Sequence, residues 1–274
     1  MYESYWQLKQ GPFDHETDAG FFHRSDTHQA ALLKLRYLVE NHKGIGVLAG
    51  AGGTGKTYVT QILAEQLGAT HGPFVHLVFP QMSASELLAY LAVELGADAS
   101  RVGGELGLDR TLRELEQRLV ALAEAHRSPV LIVDEAHLID DLQVFHSLRL
   151  LMNFAQQKHV PLTLILCGQP ELLCTVRRIG QLEERLAVNC VLRPLTEDET
   201  SGYVTHRLQA AGCRRRIFQA DALQALFELS AGIPRRINRI CDLALLVGYA
   251  DELQTLSASH IEAVCEELTT AVAD

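Results

Sequence analysis

A glycine-rich stretch constrains this chain more than any other segment. Gly50-Ala51-Gly52-Gly53-Thr54-Gly55-Lys56-Thr57 matches the P-loop pattern G-x-x-x-x-G-K-[ST], with an apolar run before it and a helical pattern after it. In that setting the glycines let successive backbone N–H groups turn onto phosphate oxygens, and the following helix adds the positive end of its dipole. A plain glycine-rich turn is the alternative, but it does not explain the flanking strand and helix. The stretch therefore predicts a phosphate cradle formed by Gly50, Gly52, Gly53, Thr54 and Gly55, with Lys56 on the β- and γ-phosphates and the Thr57 hydroxyl on Mg²⁺.

A second motif lies downstream, where the apolar residues 130–133 are followed by Asp134 and Glu135. Ligands bind at the carboxyl ends of strands in open α/β sheets, so both carboxylates are expected at a ligand site. Asp134 is predicted to hold Mg²⁺, directly or through water, and Glu135 to orient and polarise an attacking water. His137 is expected to pack or to act as a switch rather than as a catalyst. An apolar strand followed by Asp-Glu is a weak signal by itself, and the P-loop upstream makes it a strong one.

Apolar runs and helical patterns alternate through the first two thirds of the chain. The spacing predicts strands at 45–49, 74–79, 130–133, 162–167 and 189–192, and helices that include 27–41, 56–67 and 142–157. Ser83 and Glu86 form a capping-box pattern at the start of another helix. Strands that alternate with helices predict a parallel five-stranded sheet with helices on both faces. After Arg193-Pro194 the pattern is helical only, at 197–211, 220–230, 234–249 and 257–269.

We therefore predict three parts. An aromatic segment at 1–26 packs on the α/β core, which spans 27–194, and a small all-helical lid domain spans 195–274.

The charge balance bears on partners and location. The net charge of −10 argues mildly against a general nucleic-acid binder, because that affinity comes largely from Lys and Arg on phosphates, although a local basic patch stays open. No apolar run approaches the length of a membrane span, and the N-terminus lacks the pattern of a secretory signal. We expect a cytoplasmic protein.

Together these motifs resemble AAA+ ATPases: a P-loop, an Asp-Glu pair and a C-terminal helical lid. The chain is more narrowly similar to the ExeA type, also called the general secretion pathway protein A type. The opening carries that resemblance, and so do three later segments, 168–172 (Gly-Gln-Pro-Glu-Leu), 192–196 (Leu-Arg-Pro-Leu-Thr) and 232–238 (Gly-Ile-Pro-Arg-Arg-Ile-Asn). In the opening, the matching residues are Tyr2, Trp6, Leu8, Pro12, Phe13, Phe21 and Phe22. A sister group with the same core regulates DNA transposition, in the manner of TnsC and TniB.

The resemblance implies roles for further residues. Gln169 matches sensor 1, a polar residue near the γ-phosphate or the attacking water. Arg235 matches sensor 2, a lid arginine on the phosphates of the same subunit. Arg185 matches an arginine finger that reaches the nucleotide of a neighbouring subunit, which would link assembly to hydrolysis. Arg177 and Arg178 are competing finger candidates, and a surface ion pair with Glu183 or Glu184 is the structural alternative for Arg185.

Two functions stay open under this resemblance. The first is an ATP- and Mg²⁺-dependent ATPase that forms homo-oligomers, as a ring or filament, and acts as a motor or switch in assembling secretion or pilus machinery. That reading implies an inner-membrane partner and a location at the inner face of the membrane, through the partner or a further C-terminal region. The second is an ATP-dependent regulator of transposition that binds duplex DNA, for which Arg214–Arg216 and Arg235, Arg236 and Arg239 are the basic candidates. A nucleotide-dependent scaffold with negligible turnover is a third reading, against which Lys56 and Glu135 both argue.

Overall fold

The computed structural model describes residues 1–14, 18–68, 71–103 and 107–270, without the side chains of Thr269 and Thr270. These residues form two compact units. The α/β unit comprises His28–Ala51 and Val59–Leu192, and the helical unit comprises Met1–Thr27, Gly52–Tyr58 and Arg193–Asp274, each as far as it is described. Residues 15–17 of the predicted aromatic segment 1–26 lie outside the described residues.

Five strands form one parallel sheet in the order β2-β3-β4-β1-β5. They are β1 (Ile45–Gly50), β2 (Phe74–Leu77), β3 (Val130–Val133), β4 (Thr163–Gly168) and β5 (Leu186–Leu192). The three central strands β1, β3 and β4 are buried along their whole length, which explains why they read as continuous apolar runs in the sequence. The predicted parallel five-stranded sheet is confirmed.

Helices account for most of the remaining described residues. In chain order they are α1 (Glu3–Trp6), α2 (Asp26–Glu40), α3 (Lys56–Leu67), α4 (Ala84–Glu94), α5 (Leu108–Glu124), α6 (Leu142–Gln157), α7 (Glu171–Arg178), α8 (Gly180–Glu183), α9 (Glu197–Ala210), α10 (Ala220–Ser230), α11 (Pro234–Ala250) and α12 (Ala258–Thr270). The predicted capping box is present, because the Ser83 side chain accepts from the Glu86 N–H while the Glu86 carboxylate accepts from the Ser83 N–H.

Two strand ends differ from the prediction by two residues or more. β2 ends at Leu77 instead of Phe79, and Phe79 is 81% exposed. The ladder between β2 and the neighbouring strand β3 ends at the pair Leu77 and Val133, because the chain turns at Glu135. Pro80 also has no N–H with which to extend the ladder. β5 begins three residues earlier than predicted because it is an edge strand whose alternate residues are exposed, so it lacks a continuous apolar run.

The connection between β5 and α9 is held by one ion pair within the helical unit. Arg193 donates from both terminal nitrogens to the Glu199 carboxylate, at 2.6 and 3.1 Å. Glu199 also accepts from the Thr196 N–H and so closes a capping box at the start of α9. These hydrogen bonds, that from Arg193 first, lower the pKa of Glu199 to about 2. Arg193 and Thr196, at the two ends of the Arg-Pro-Leu-Thr segment, are thus both hydrogen-bonded to one carboxylate.

The aromatic N-terminal segment packs in the helical unit. Trp6 is fully buried, its indole N–H donates to the Leu245 carbonyl at 2.8 Å, and the Arg215 guanidinium lies 4.9 Å from its ring. Arg207, also buried, donates to the carbonyls of Pro12 at 2.6 Å and Asp14 at 2.8 Å. The prediction placed this whole segment against residues 27–194. Within the helical unit, Asp18 and Phe22 do contact Tyr58. Tyr2 and Trp6, however, contact α11, and Pro12 and Asp14 contact Arg207 on α9.

Trp6→Ala is expected to lower the free energy of unfolding by about 3–5 kcal/mol, because it leaves a large cavity between α1 and α11. Trp6→Phe keeps most of the ring and should lose about 1–2 kcal/mol, chiefly the indole hydrogen bond. Urea unfolding followed by far-ultraviolet circular dichroism measures both. Equal losses in the two variants would contradict the packing role of the ring.

Candidate nucleotide-binding site

The P-loop connects the end of β1 to the first residue of α3. Gly53 and Gly55 have φ angles of 81° and 96°, a region that side-chain-bearing residues rarely adopt, so the loop requires glycine there. α3 begins at Lys56, whose side chain is only 5% exposed, while Thr57 is exposed on the first turn. The predicted strand–loop–helix arrangement is therefore present, with a helix N-terminus at the end of a curled, glycine-rich backbone.

The start of α11 lies directly against this loop, within the helical unit. The Arg235 N–H donates to the Gly53 carbonyl at 3.2 Å, and a Cβ on Gly53 would lie 2.7 Å from the Cβ of Arg235. Ile233 precedes the helix and Pro234 is its first residue, which suits the fixed φ of proline. The N-termini of α3 and α11 therefore meet at one loop, and the Arg235 side chain is exposed there. Two helix N-termini, whose partial positive charge attracts anions, thus adjoin this loop, and Lys56 and Arg235 are the first and second residues of those helices.

The predicted carboxylates lie at the carboxyl edge of the sheet in the α/β unit. The Asp134 N–H extends the sheet by donating to the Leu77 carbonyl at 2.8 Å, and Asp134 is 5% exposed. His76 on the neighbouring strand places Nε2 at 3.7 Å from the Asp134 carboxylate. Glu135 has a left-handed backbone with φ 47°, which is uncommon for a residue with a side chain and is frequent at functional sites.

Gln169 follows β4 at the same edge of the sheet. β3 and β4 are neighbours and parallel, so the residues that follow them lie close together. His137 joins the two, because its Nδ1 lies 3.3 Å from the Glu135 carboxylate and 3.4 Å from the Gln169 backbone nitrogen. Glu135 and Gln169 therefore both lie at this edge, but the contact of one histidine with both was not predicted. Two features of the sequence could have indicated this contact: His137 lies two positions after Glu135, and position 168 is a glycine.

Arg185 lies at the opposite edge of the same sheet. It immediately precedes β5, whose first residue pairs with Ile45 at the start of β1. A strand of this length separates it from the carboxyl edge by about 20 Å. Arg185 lines a cavity of about 560 Å³ together with Lys43 and Glu184, and within the described residues it forms no ion pair with Glu183 or Glu184. The structure therefore does not bring Arg185 together with Glu135 in one chain, and Arg177 and Arg178 are exposed at the end of α7.

The basic run Arg214–Arg216 is only partly a surface feature. Arg215 packs over Trp6 and donates to the Tyr5 carbonyl at 3.3 Å, so its guanidinium binds the N-terminal segment. Arg214 and Arg216 on either side are exposed, and so are Arg236 and Arg239 on α11.

A model of the AAA domain family matches residues 39–175, half of the 274-residue chain. The chain therefore belongs to the AAA domain family, with the P-loop, Asp134, Glu135 and Gln169 all inside the matched range.

Its similarity to known proteins extends beyond that range. General secretion pathway protein A of Aeromonas hydrophila is 35% identical over 253 residues, which cover 91% of this chain and 45% of that protein. The ExeA-type resemblance is confirmed, and the chain spans less than half the length of this relative.

In structure the chain is similar to Cdc6p from Pyrobaculum aerophilum, with a TM-score of 0.72 at 18% identity over 89% of this chain and 67% of that one. It is also similar to the Aeropyrum pernix ORC2 protein in its ADPNP–ADP complexes, with a TM-score of 0.71 at 13% identity over 94% of this chain and 72% of that one. At such identities the two structures show the shared fold alone. Within the described residues, no helix combines the length and the apolar character needed to cross a bilayer.

Proposed function

We propose that this chain binds ATP and hydrolyses it to ADP and phosphate. The observation that carries the proposal is the hydrogen bond between the Arg235 N–H and the Gly53 carbonyl, because it joins two helix N-termini and two cationic side chains at one glycine-rich loop. A triphosphate is the ligand that such a concentration of positive charge suits best. The Aeropyrum pernix ORC2 protein, which has a similar fold and is described in ADPNP–ADP complexes, supports the same assignment.

The donor set also fits Mg²⁺, which prefers hard oxygen ligands. The Thr57 hydroxyl and the Asp134 carboxylate are the candidate ligands, one on the exposed first turn of α3 and one buried at the end of β3. When bound, Mg²⁺ would neutralise charge on the β- and γ-phosphates. Lys56 and Arg235 bind phosphate oxygens, Glu135 accepts a proton from the attacking water or orients it, and Gln169 contacts the γ-phosphate or that water.

Lys56→Ala is expected to weaken ATP binding at least about tenfold, because it removes the only side-chain cation of the P-loop itself. Isothermal calorimetry with ATP and Mg²⁺ measures the change. Lys158→Ala, at an exposed position just after α6, is the matched control and should bind as wild type does. Wild-type affinity in Lys56→Ala would sink the phosphate assignment.

We further propose that ATP binding drives self-association into a ring or filament and that the assembly acts in building secretion or pilus machinery, with an inner-membrane partner. The name of the 35%-identical relative supports this setting. We also propose that residues 195–274 act as the lid domain, and the contact of α11 with the P-loop supports that role.

Regulation of transposition on duplex DNA is the alternative, and the exposed Arg214, Arg216, Arg236 and Arg239 favour it. Binding of duplex DNA with ATP present, measured against salt, separates the two. Affinity that is specific to the ATP state and falls steeply with salt would replace the secretion assignment with the DNA one.

A further inference from the structure

One ring nitrogen lies between two groups that the proposed reaction uses. His137 Nδ1 is 3.3 Å from the Glu135 carboxylate and 3.4 Å from the backbone nitrogen of Gln169. The imidazole is nearly buried, with 12% of its side chain exposed, whereas the Glu135 side chain is 41% exposed. Both contacts fall within the α/β unit, at the carboxyl edge of β3 and β4.

These two contacts require opposite states of the same atom. A carboxylate only accepts, so Nδ1 must carry its hydrogen to bind Glu135. A backbone N–H only donates, so Nδ1 must present its lone pair to bind Gln169. In neutral imidazole the hydrogen is on Nδ1 or on Nε2, and the two hydrogen bonds therefore exclude each other.

The backbone on both sides brings the ring to this position. Gly168 leaves the room it needs, since a Cβ there would lie 3.3 Å from His137 Nδ1 and 3.2 Å from the His137 nitrogen. Glu135 takes the left-handed backbone conformation that returns the chain to β4, a conformation of higher energy for a residue with a side chain. If the ring only filled space, no ring nitrogen would have to lie between the Glu135 carboxylate and the Gln169 N–H.

We propose that His137 is a positioning residue whose Nδ1 binds the Gln169 N–H in the resting state and the Glu135 carboxylate in the productive state. This rests on the proposed ATPase function. When the γ-phosphate draws the Gln169 turn toward itself, its N–H leaves Nδ1, the ring hydrogen moves from Nε2 to Nδ1 through solvent, and Nδ1–H then fixes one oxygen of Glu135. Glu135 is thereby oriented for water only after nucleotide has engaged Gln169.

Two amide variants test the role of the Nδ1 atom. The Asn side chain places its amide oxygen or nitrogen where Nδ1 lies, and it can exchange them by flipping, whereas the Gln side chain reaches the position of Nε2 instead. His137→Asn should keep kcat within about threefold, while His137→Gln and His137→Leu should lower it roughly 10–100-fold with KM for ATP unchanged. A packing role would instead favour the larger Gln and Leu. Equal kcat in Asn and Gln, or a KM that moves with kcat, would overturn the proposal.

The ring tautomer is a second readout, and it needs no hydrolysis. Nitrogen-15 NMR of labelled histidine, assigned with His137→Asn, should show Nδ1 entirely as an acceptor in nucleotide-free Glu135→Ala. A non-hydrolysable ATP analogue with Mg²⁺ should shift the wild-type ring toward the Nδ1–H form. A ring that carries Nδ1–H in nucleotide-free Glu135→Ala, or a wild-type tautomer that the analogue leaves unchanged, would overturn the His137 proposal even if the chain hydrolyses ATP. If calorimetry finds no ATP binding, the proposed function fails, and the nucleotide-free tautomer of wild type and Glu135→Ala then shows separately whether Nδ1 accepts the Gln169 N–H.

Discussion

Glu135→Gln is expected to bind ATP with the affinity of wild type and to hydrolyse it about 10²–10⁴-fold more slowly. The amide keeps the shape of the side chain but cannot accept a proton from the attacking water, and a positioned general base contributes that much to the rate. Because the γ-phosphate stays intact, the variant should also trap the ATP-bound assembly. Steady-state phosphate release gives kcat, and analytical ultracentrifugation with ATP gives the size of the assembly.

Glu171→Gln is the matched control for this variant. Glu171 is an exposed carboxylate at the start of α7, close in sequence to the same edge of the sheet, and it has no proposed part in hydrolysis. Its kcat should stay within about threefold of wild type, as expected for a surface substitution. Near-wild-type turnover in Glu135→Gln would show that Glu135 does not activate the water.

The central sheet and the phosphate loop could be predicted because strong local signals determine them. β1, β3 and β4 are buried on both faces, so each is an unbroken apolar run, and α3 begins at Lys56 directly after the glycines. The order of the strands was not predicted, since it depends on how five similar apolar runs pair. The edge strand β5 was found only in part, because its alternate residues face solvent.

The contacts that join distant parts of the chain could not be predicted. Arg207 donates to the carbonyls of Pro12 and Asp14 across nearly two hundred residues, and no periodicity reports a side chain that binds a backbone so far away. The same applies to His137, whose two partners come from different strand ends. The apolar run before Asp134 thus predicted that Glu135 follows β3, whereas the ring nitrogen between Glu135 and Gln169 depends on strand pairing and on the missing Cβ of Gly168.

Arg185→Ala is expected to bind ATP normally and to lose on the order of 10³-fold in hydrolysis, the usual contribution of an arginine finger supplied by a neighbouring subunit. Arg185 lies at the edge of the sheet opposite Glu135, so within one chain it is far from the edge at which Glu135 would act on the attacking water. Its function would therefore require a second subunit. The rate per subunit should then rise with protein concentration, since a monomer has an incomplete site.

Mixing Arg185→Ala with Lys56→Ala tests this directly. Each variant alone should be nearly inactive, but in a mixed oligomer the Lys56→Ala subunit supplies an intact Arg185 to the intact P-loop of its neighbour. Some activity should therefore return on mixing, provided that co-purification of differently tagged subunits first demonstrates mixed oligomers. Arg177→Ala and Arg178→Ala, both at exposed positions on α7, are mixed with Lys56→Ala in parallel. If Arg177→Ala or Arg178→Ala shows rescue and Arg185→Ala does not, the residue whose variant is rescued is the arginine finger. If every pair co-assembles and none shows rescue, catalysis in trans is not part of the mechanism.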